Sequence, residues 1–350
     1  MKNSAFFLVL LLTTLLNPLA AQPWQPVDGR IRTPWADKVD PANPLPEYPR
    51  PLMQRNEWMN LNGLWDYAVR PFGATYDKPD GRILVPFCIE SSLSGVGRTV
   101  GKDNILWYQR TFTVPKAWKG RRILLHFGAV DWKAEIWVNG IKAGSHTGGY
   151  TPFSLDITEA LKPGENTLAV KVWDGTDTGF QPRGKQVSKP GGIWYTSVTG
   201  IWQTVWMEPV PEQYIANLRT TPDLDGHCIR VLAEGVTEGI VEVRLSAEGK
   251  AVATACALAG TEVEIPVPNA RRWSPDDPFL YDLEVSLLTG GKVVDRVQSY
   301  CALRAVGVAT GADGIKRLTL NGKPIFMYGP LDQGWWPDGL YTAPTDEALA

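Results

Sequence analysis

Short segments rich in β-branched and aromatic residues, separated by turn residues, recur along most of this 350-residue chain. Residues 105–114 have this composition, and in residues 166–173 apolar and polar positions alternate as in a half-buried strand. Residues 135–144 read as a hairpin, because two apolar runs flank Asn139-Gly140, the pair that suits a type I′ turn. Since no segment here keeps a helical period, the sequence predicts a mainly β protein with a jelly-roll β-sandwich over residues 51–210.

A second group of strand-like runs, with glycine or proline turns between them, covers residues 211–306. This group fits a smaller immunoglobulin-like β-sandwich. Residues 317–329 then predict another hairpin, with Asn321-Gly322 at its turn. Thr345 precedes two acidic residues and is the expected N-cap of a helix. Residues 307–350 therefore predict a strand, a loop and the start of a helix.

Tryptophan, glycine and aspartate positions in the first sandwich have mainly structural interpretations. Tryptophan faces can stack on sugar rings, but tryptophan also fills sandwich cores. We expect core positions for the residues in strand-like runs, namely Trp65, Trp137, Trp173 and Trp206. We expect turns with unusual dihedral angles at Gly128, Gly140 and Gly148-Gly149. We expect Asp131 and Asp156 to cap strand ends.

The N-terminus has the pattern of a secretory signal peptide. Lys2 precedes an apolar run over residues 5–16, and a small-residue cleavage site follows. We therefore expect a signal peptide over residues 1–21, cleavage after Ala21 and export to the periplasm or the extracellular space. The run is too short to span a bilayer comfortably, and no membrane span is expected after cleavage. Residues 22–50 form an irregular, proline-rich segment.

Composition excludes several classes of protein. The chain is 44% hydrophobic and 21% charged with a formal net charge of −2, which is typical of a soluble globular protein. Lysine and arginine are scattered, so no nucleic-acid partner is predicted. With three histidines, no HExxH and no CxxC, the sequence predicts no metal site and no cofactor. The four cysteines are far apart, and we expect free, mostly buried thiols.

Several sequence blocks occur in a fixed order. They are LNGLWDYA (61–68), VPFCIESSLSGV (85–96), WYQRTFTVP (107–115), HFGAVDWKAEIWVNG (126–140), HTGGYTPFSLDIT (146–158) and RGKQVSKPGGIWYTSVTGIWQTVWMEP (183–209). These blocks resemble the sugar-binding jelly roll of family 2 glycoside hydrolases, which include β-galactosidases, β-glucuronidases and β-mannosidases. RRWSPDDPFLYDLEVSL (271–287) resembles the end of the family's immunoglobulin-like domain, and LTLNGKPIFMYGPLDQGWWP (318–337) resembles the start of its TIM barrel.

The resemblance covers residues 55–350 and implies an enzyme that hydrolyses O-glycosidic bonds in a carbohydrate. Residues 307–350 would be the truncated first β/α unit of the (β/α)₈ barrel. A retaining glycosidase needs two carboxylates about 5–5.5 Å apart, and in this family the acid/base lies in an Asn-Glu pair. The one such pair in this chain, Asn56-Glu57, precedes the strand-like blocks of the jelly roll and is far from any barrel strand. We therefore expect the acid/base and the nucleophile Glu beyond residue 350, and no activity from this chain alone.

The resemblance also implies substrate-binding candidates in two segments. The jelly roll of the family sends a loop over the barrel mouth, and residues 174–195 hold that position. Its candidates are Arg183, Lys185 and Gln186, together with Trp194, which stands where the relatives carry an active-site Asp. Galactosidases read GVNRHEHHP where this chain reads GPLDQGWWP (329–337). A galactose-specific pocket does not transfer across these changes, and the candidates are Asp332, Gln333, Trp335 and Trp336.

Two other interpretations remain open at this stage. One is a non-catalytic carbohydrate-binding or interaction protein built from the same sandwiches. The other is a secreted adhesin, which predicts no sugar affinity. The sequence leaves the sugar, the linkage and the formation of a homo-oligomer open, and it predicts a carbohydrate as the partner.

Overall fold

A computed structural model describes residues 24–350, which fold mainly into β-strands. The predicted signal peptide lies outside the described residues. The strands of the first sandwich are β1 (Met59–Asn60), β2 (Gly63–Pro71), β3 (Gly81–Val85), β4 (Asn104–Thr113), β5 (Arg122–Phe127), β6 (Val130–Asp131), β7 (Lys133–Val138), β8 (Ile141–Thr147), β9 (Phe153–Asp156), β10 (Glu165–Trp173), β11 (Gly200–Ile201) and β12 (Val205–Val210). Short 3-10 helices cover Pro34–Lys38, Lys116–Trp118 and Thr158–Ala160.

Two main sheets make up this first sandwich. One has the strand order β1-β12-β5-β9 and the other β3-β2-β4-β10-β7-β8, while β6 and β11 form a separate pair. Trp65, Tyr108 and Phe127 are fully buried in the core. Asn139 and Gly140 have φ angles of 52° and 80° between β7 and β8, as the type I′ turn requires. The predicted jelly-roll sandwich is confirmed as the fold class.

Two of the four predicted core tryptophans are not in the core. Trp65 and Trp206 are 0% and 4% exposed, as predicted. Trp137 and Trp173 are half-buried on the outer face of the six-stranded sheet, and the prediction for them was wrong. Successive side chains of a strand point to opposite faces of the sheet. The neighbours of Trp137 and Trp173 along the strands are buried in the core, so these two rings lie on the outer face.

Two of the glycines also have another role than the one expected. Gly128 and Gly149 do not have positive φ angles, so they are not required by the backbone conformation. Instead, a Cβ atom there would collide with Gln203 and Asp131, respectively. Asp156 caps a turn as expected, since its Oδ1 accepts from Thr158 N at 3.0 Å.

The second sandwich follows after a short connection. Its strands are β13 (Asn217–Asp223), β14 (Cys228–Glu234), β15 (Ile240–Ala247), β16 (Lys250–Leu258), β17 (Val263–Pro266), β18 (Tyr281–Thr289) and β19 (Lys292–Cys301). A sheet of order β13-β14-β17 faces a sheet of order β16-β15-β18-β19. Ile229, Val243 and Val285 are fully buried between them. This is the predicted immunoglobulin-like sandwich.

The last part of the described chain forms a small sheet and a helical turn. The elements are β20 (Val306–Thr310), β21 (Lys316–Leu320), β22 (Lys323–Pro324) and α1 (Asp346–Leu349). Asn321 and Gly322 form the predicted turn, with φ angles of 51° and 80°. Thr345 caps α1, because its Oγ1 accepts from Ala348 N at 3.2 Å. Residues 325–329, predicted as a strand, do not form one, because the pairing with β21 ends at Pro324. The barrel start itself stays a prediction.

A buried ionic network joins the two sandwiches. Arg55 makes a two-pronged contact with Asp295, while Arg50 Nη2 lies 2.5 Å from Glu208 Oε1. His126 Nε2 lies 3.0 Å from the same oxygen. Burial alone would raise the pKa of Glu208, but the contact with His126 and the charges of Arg50 and Arg55 hold that pKa at about 2. The contacts of Asp295 and Glu208 with the two arginines therefore fix the junction of the sandwiches.

Two further observations concern membrane and cysteine chemistry. Within residues 24–350, no helix is long and apolar enough to cross a membrane. Cys88, Cys228 and Cys301 are buried free thiols, and Cys256 is an exposed one.

Candidate functional site

Two predicted segments of the chain meet at one end of the jelly roll. The loop over residues 174–195, called the site loop below, leaves the end of β10. It contacts residues 329–342, called the C-terminal segment. Tyr195 Oη donates to Gln333 Oε1 at 2.5 Å, and the Tyr195 ring packs on Trp335 with 4.8 Å between centroids. The fold therefore brings together the two segments that carry the predicted binding residues.

Polar contacts from distant parts of the chain fix the C-terminal segment to the jelly roll. Asp338 is fully buried, and its Oδ2 accepts from Thr33 N at 2.8 Å and from Thr33 Oγ1 at 2.7 Å. Thr342 Oγ1 donates to the Trp202 carbonyl at 2.5 Å. The sequence analysis missed Asp338 because its partner is 305 residues away and no local motif signals the pair. Asp338 is a positioning residue for the segment.

An aromatic cluster lies where the site loop and the C-terminal segment meet. Trp335 is 5.0 Å from Tyr341, and Tyr341 is 5.1 Å from Trp202 and 5.8 Å from Tyr150, measured between ring centroids. Burial raises the pKa values of Tyr150 and Tyr341, so both phenols stay protonated and able to donate. Aromatic faces with polar edges are suited to bind the apolar face and the hydroxyls of a sugar.

The four candidates of the C-terminal segment separate into different environments. Trp335 is part of the aromatic cluster, and Gln333 lies beside it, because both side chains contact Tyr195. Asp332 is exposed, and its Oδ1 accepts from Gly334 N at 2.7 Å, which stabilises a turn. Trp336 packs edge-on against Trp35 of the N-terminal segment, with 6.2 Å between ring centroids, and not within the aromatic cluster.

The candidates of the site loop are partly or largely exposed to solvent, except for Gln186, which is buried. The Arg183 guanidinium is 6.0 Å from the Trp194 ring centroid, and Lys185 Nζ is 5.5 Å from the Tyr195 ring. Trp194 is 43% exposed, which leaves part of its ring free for a ligand. Two cations beside two aromatic rings are suited to a sugar that carries a carboxylate.

Gln186 has a different role from the predicted sugar contact. Its side chain is buried, with Nε2 donating to Asp131 Oδ2 at 2.9 Å and to Tyr150 Oη at 3.2 Å. Its Oε1 accepts from Val198 N at 2.7 Å. Because its polar atoms are engaged within the protein, Gln186 positions the aromatic cluster instead of reaching a substrate.

Three buried carboxyls lie behind this end of the jelly roll. Burial raises the pKa of Glu90 to about 8 and that of Asp131 to about 8, with Asp174 adding repulsion to each. Burial also raises the pKa of Asp174. Asp131 thus departs from the capping role expected from the sequence. These groups come from separate elements, and no sequence motif signals their proximity.

The carboxyl groups near this end of the jelly roll and the Asn-Glu pair of the sequence lie in different environments. The three buried carboxyls are shielded from solvent and favour the protonated form. Asn56-Glu57 lies elsewhere, in a groove between the sandwiches where Glu57 pairs with Arg121. Across residues 24–350, no three His, Cys, Asp or Glu side chains are arranged to hold a metal ion.

Comparisons with known proteins identify relatives of this chain and a solved structure with a similar fold. A β-glucuronidase from Ruminococcus gnavus, solved by crystallography, matches with a TM-score of 0.68 at 22% identity, covering 86% of this chain and 53% of that one. A β-glucuronidase from Paenibacillus borealis is 29% identical over 308 residues, covering 81% of this chain and 50% of the relative. A β-galactosidase from Thermoanaerobacter pseudethanolicus is 27% identical over 249 residues, covering 64% and 31%. The chain spans about half or less of the length of these relatives.

Two family models match consecutive parts of the chain. The sugar binding domain of glycosyl hydrolases family 2 matches residues 76–207, and a second model of glycosyl hydrolases family 2 matches residues 213–304. These ranges fall on the first and the second sandwich, respectively. The chain therefore belongs to family 2 of the glycosyl hydrolases and contains its sugar-binding and immunoglobulin-like domains.

Proposed function

We propose that this chain is the N-terminal part of an exported, retaining family 2 glycoside hydrolase. Both catalytic carboxylates would lie outside these 350 residues, so the chain alone would be inactive. In this proposal the jelly roll supplies part of the substrate-binding site, and a TIM barrel supplies the acid/base and the nucleophile. The observation that carries the proposal is the contact between the site loop and the C-terminal segment.

An exposed apolar surface on the small C-terminal sheet supports the presence of a further domain. Val306, Phe326 and Tyr328 are 81%, 86% and 90% exposed, and Val308 and Leu318 lie beside them. Soluble proteins rarely leave such a contiguous apolar patch uncovered. Additional barrel strands and helices would bury it and would give residues 325–329 the neighbours that a barrel strand needs.

The substrate in this proposal is a carbohydrate, and a β-glucuronide is the first to test. The matched relatives include β-glucuronidases, and the site loop places Arg183 and Lys185 beside Trp194 and Tyr195. A cation near an aromatic face favours a ring that carries a carboxylate over a neutral one. Asp332, although it forms a turn here, remains a proposed substrate contact in the complete barrel.

The source DNA beyond the codon for Ala350 tests this proposal. We expect an open reading frame that encodes further barrel strands, an Asn-Glu pair and a later Glu. A stop codon at this position in independent isolates would instead favour the non-catalytic carbohydrate-binding protein. That alternative is supported by the aromatic side chains on the surface of the jelly roll, which do not need a barrel to bind a sugar.

A further inference from the structure

The outer face of the six-stranded jelly-roll sheet carries a group of aromatic rings that the candidate site does not use. Trp107 on β4, Trp137 on β7 and Trp173 on β10 all point away from the core. The Trp107 and Trp137 rings are 5.7 Å apart and tilted by 30°, so they form a nearly continuous surface. Tyr76 extends it, 6.2 Å from Trp107. This set, with Trp173, is called the outer aromatic face.

A groove lies at one end of the outer aromatic face. The Trp173 ring packs edge-on against Phe72 and Trp132, with 6.4 Å and 5.9 Å between ring centroids. These three rings line a cavity of about 280 Å³. That volume is close to the lower end of small-molecule sites, about 300 Å³. Trp173 Nε1 donates to the Lys102 carbonyl at 2.7 Å, which holds the ring in place. A ring fixed before binding loses little conformational entropy when a ligand stacks on it.

The charges on this face favour an anionic ligand. Lys133 and Lys171 line the groove together with Glu135. Lys142 lies 5.8 Å from the Trp137 ring, and Lys171 lies 5.8 Å from the Trp107 ring. Glu135 is 3.6 Å from Lys142 and 3.7 Å from Lys171, so two lysines share one carboxylate, and Lys133 lines the same groove. The patch is therefore positive on a chain whose formal net charge is −2.

Other charged groups on the same sheet do not cancel the positive charge of these lysines. Asp66 is paired with Arg82 at 3.5 Å. Arg70 is held by Asp77 and Asp80, and Arg98 lies 3.8 Å from Asp80. These groups neutralise one another on the β2 and β3 side. The lysine excess is confined to the side with the tryptophans.

We propose that the outer aromatic face is a second carbohydrate-binding site, which holds a chain of acidic sugars. The aromatic faces are negative and attract the partially positive C–H bonds of a pyranose ring, while the lysines contact carboxylates of the sugar. β10 ends at Trp173 and the site loop begins at the next residue, so the groove lies at the end of the sheet from which that loop leaves. The proposal does not depend on where the catalytic carboxylates are.

Isothermal titration calorimetry on the full chain tests this proposal. The probes are a short oligogalacturonide and a cello-oligosaccharide of the same length. We expect measurable binding of the acidic probe, weaker binding of the neutral one, and a loss of affinity on the order of tenfold in Trp173→Ala. Trp173→Phe should retain part of the affinity, because it keeps an aromatic face. Tyr300→Ala, which removes an exposed aromatic ring from the second sandwich, is the matched control and should bind like the wild type.

Two further variants separate this site from the site loop. The double variant Trp107→Ala/Trp137→Ala should also weaken binding, while Trp194→Ala tests whether the acidic probe binds at the site loop instead. Circular dichroism establishes that each variant is folded. No detectable binding of the acidic probe at millimolar concentration would overturn the proposal. Affinities unchanged in Trp173→Ala and in the double variant, or lost only in Trp194→Ala, would overturn it as well.

Discussion

Asp131→Asn should make the stability of the jelly roll less dependent on pH. The Asp131 carboxyl is 3% exposed and accepts from Gln186, and no cation is among the groups that shift its pKa. Burial raises that pKa from 3.8 to about 8. A carboxyl with a raised pKa in the folded state stabilises the fold below its unfolded pKa. This contribution is lost as the pH rises through about 8, because the folded state must then bury a charge.

The size of the effect follows from the shift. Each pKa unit corresponds to about 1.4 kcal/mol, and the shift arises partly from repulsion with Asp174. Assigning half of the shift to Asp131 gives a loss of about 3 kcal/mol in the free energy of unfolding between pH 4 and pH 9. Asparagine keeps the shape and the acceptor for Gln186 but cannot ionise. The variant should therefore be more stable than the wild type at pH 9, and Glu90 and Asp174, whose pKa values are also raised by burial, should contribute to the pH dependence that remains.

Urea unfolding followed by tryptophan fluorescence at several pH values measures this difference. Asp103→Asn is the control, because Asp103 is exposed and pairs with Lys102 in solvent. The control should follow the wild-type curve at every pH. If Asp131→Asn shows the same loss of stability between pH 4 and pH 9 as the wild type, the assignment of a protonated, buried Asp131 is wrong.

Two other substitutions test the junction and the C-terminal segment. Arg55→Met should cost about 3–5 kcal/mol in the free energy of unfolding, because it leaves the buried Asp295 without its cationic partner and with only the Ile215 N–H donating to it. Arg82→Met, which breaks an exposed pair, should cost less than about 1 kcal/mol, and equal losses would contradict the argument. In an enzyme extended beyond residue 350, Asp332→Ala should lower kcat/KM by about tenfold or more, whereas Asp313→Ala should not. An unchanged kcat/KM would reduce Asp332 to a turn residue.

Local chemistry made much of the fold predictable. Asn139-Gly140 and Asn321-Gly322 specify type I′ turns without reference to the rest of the chain, and both turns are present. Thr345 likewise caps α1 through its own neighbours. The alternation in β10 predicted a half-buried strand correctly. The same alternation, applied consistently, would have placed Trp173 on the outer face with Lys171 rather than in the core.

Long-range contacts explain what the sequence did not reveal about the site. Glu90, Asp131 and Asp174 are adjacent only because separate elements meet, and each has an ordinary polar context in the sequence. Gln186 looked like a surface residue of a Gly/Pro-rich loop, but its loop folds inward at that position. The pairing of Thr33 with Asp338 joins opposite ends of the described chain. Such contacts depend on topology rather than on local motifs.

The hydrolysis of aryl glycosides by the purified 350-residue chain tests the central claim most directly. The assay uses nitrophenyl β-glucuronide, β-galactoside and β-mannoside. The account predicts no turnover above buffer for any of them, because it proposes that both catalytic carboxylates lie outside these 350 residues. Saturable turnover that co-purifies with the chain and disappears in Glu57→Gln or Asp332→Asn would contradict it.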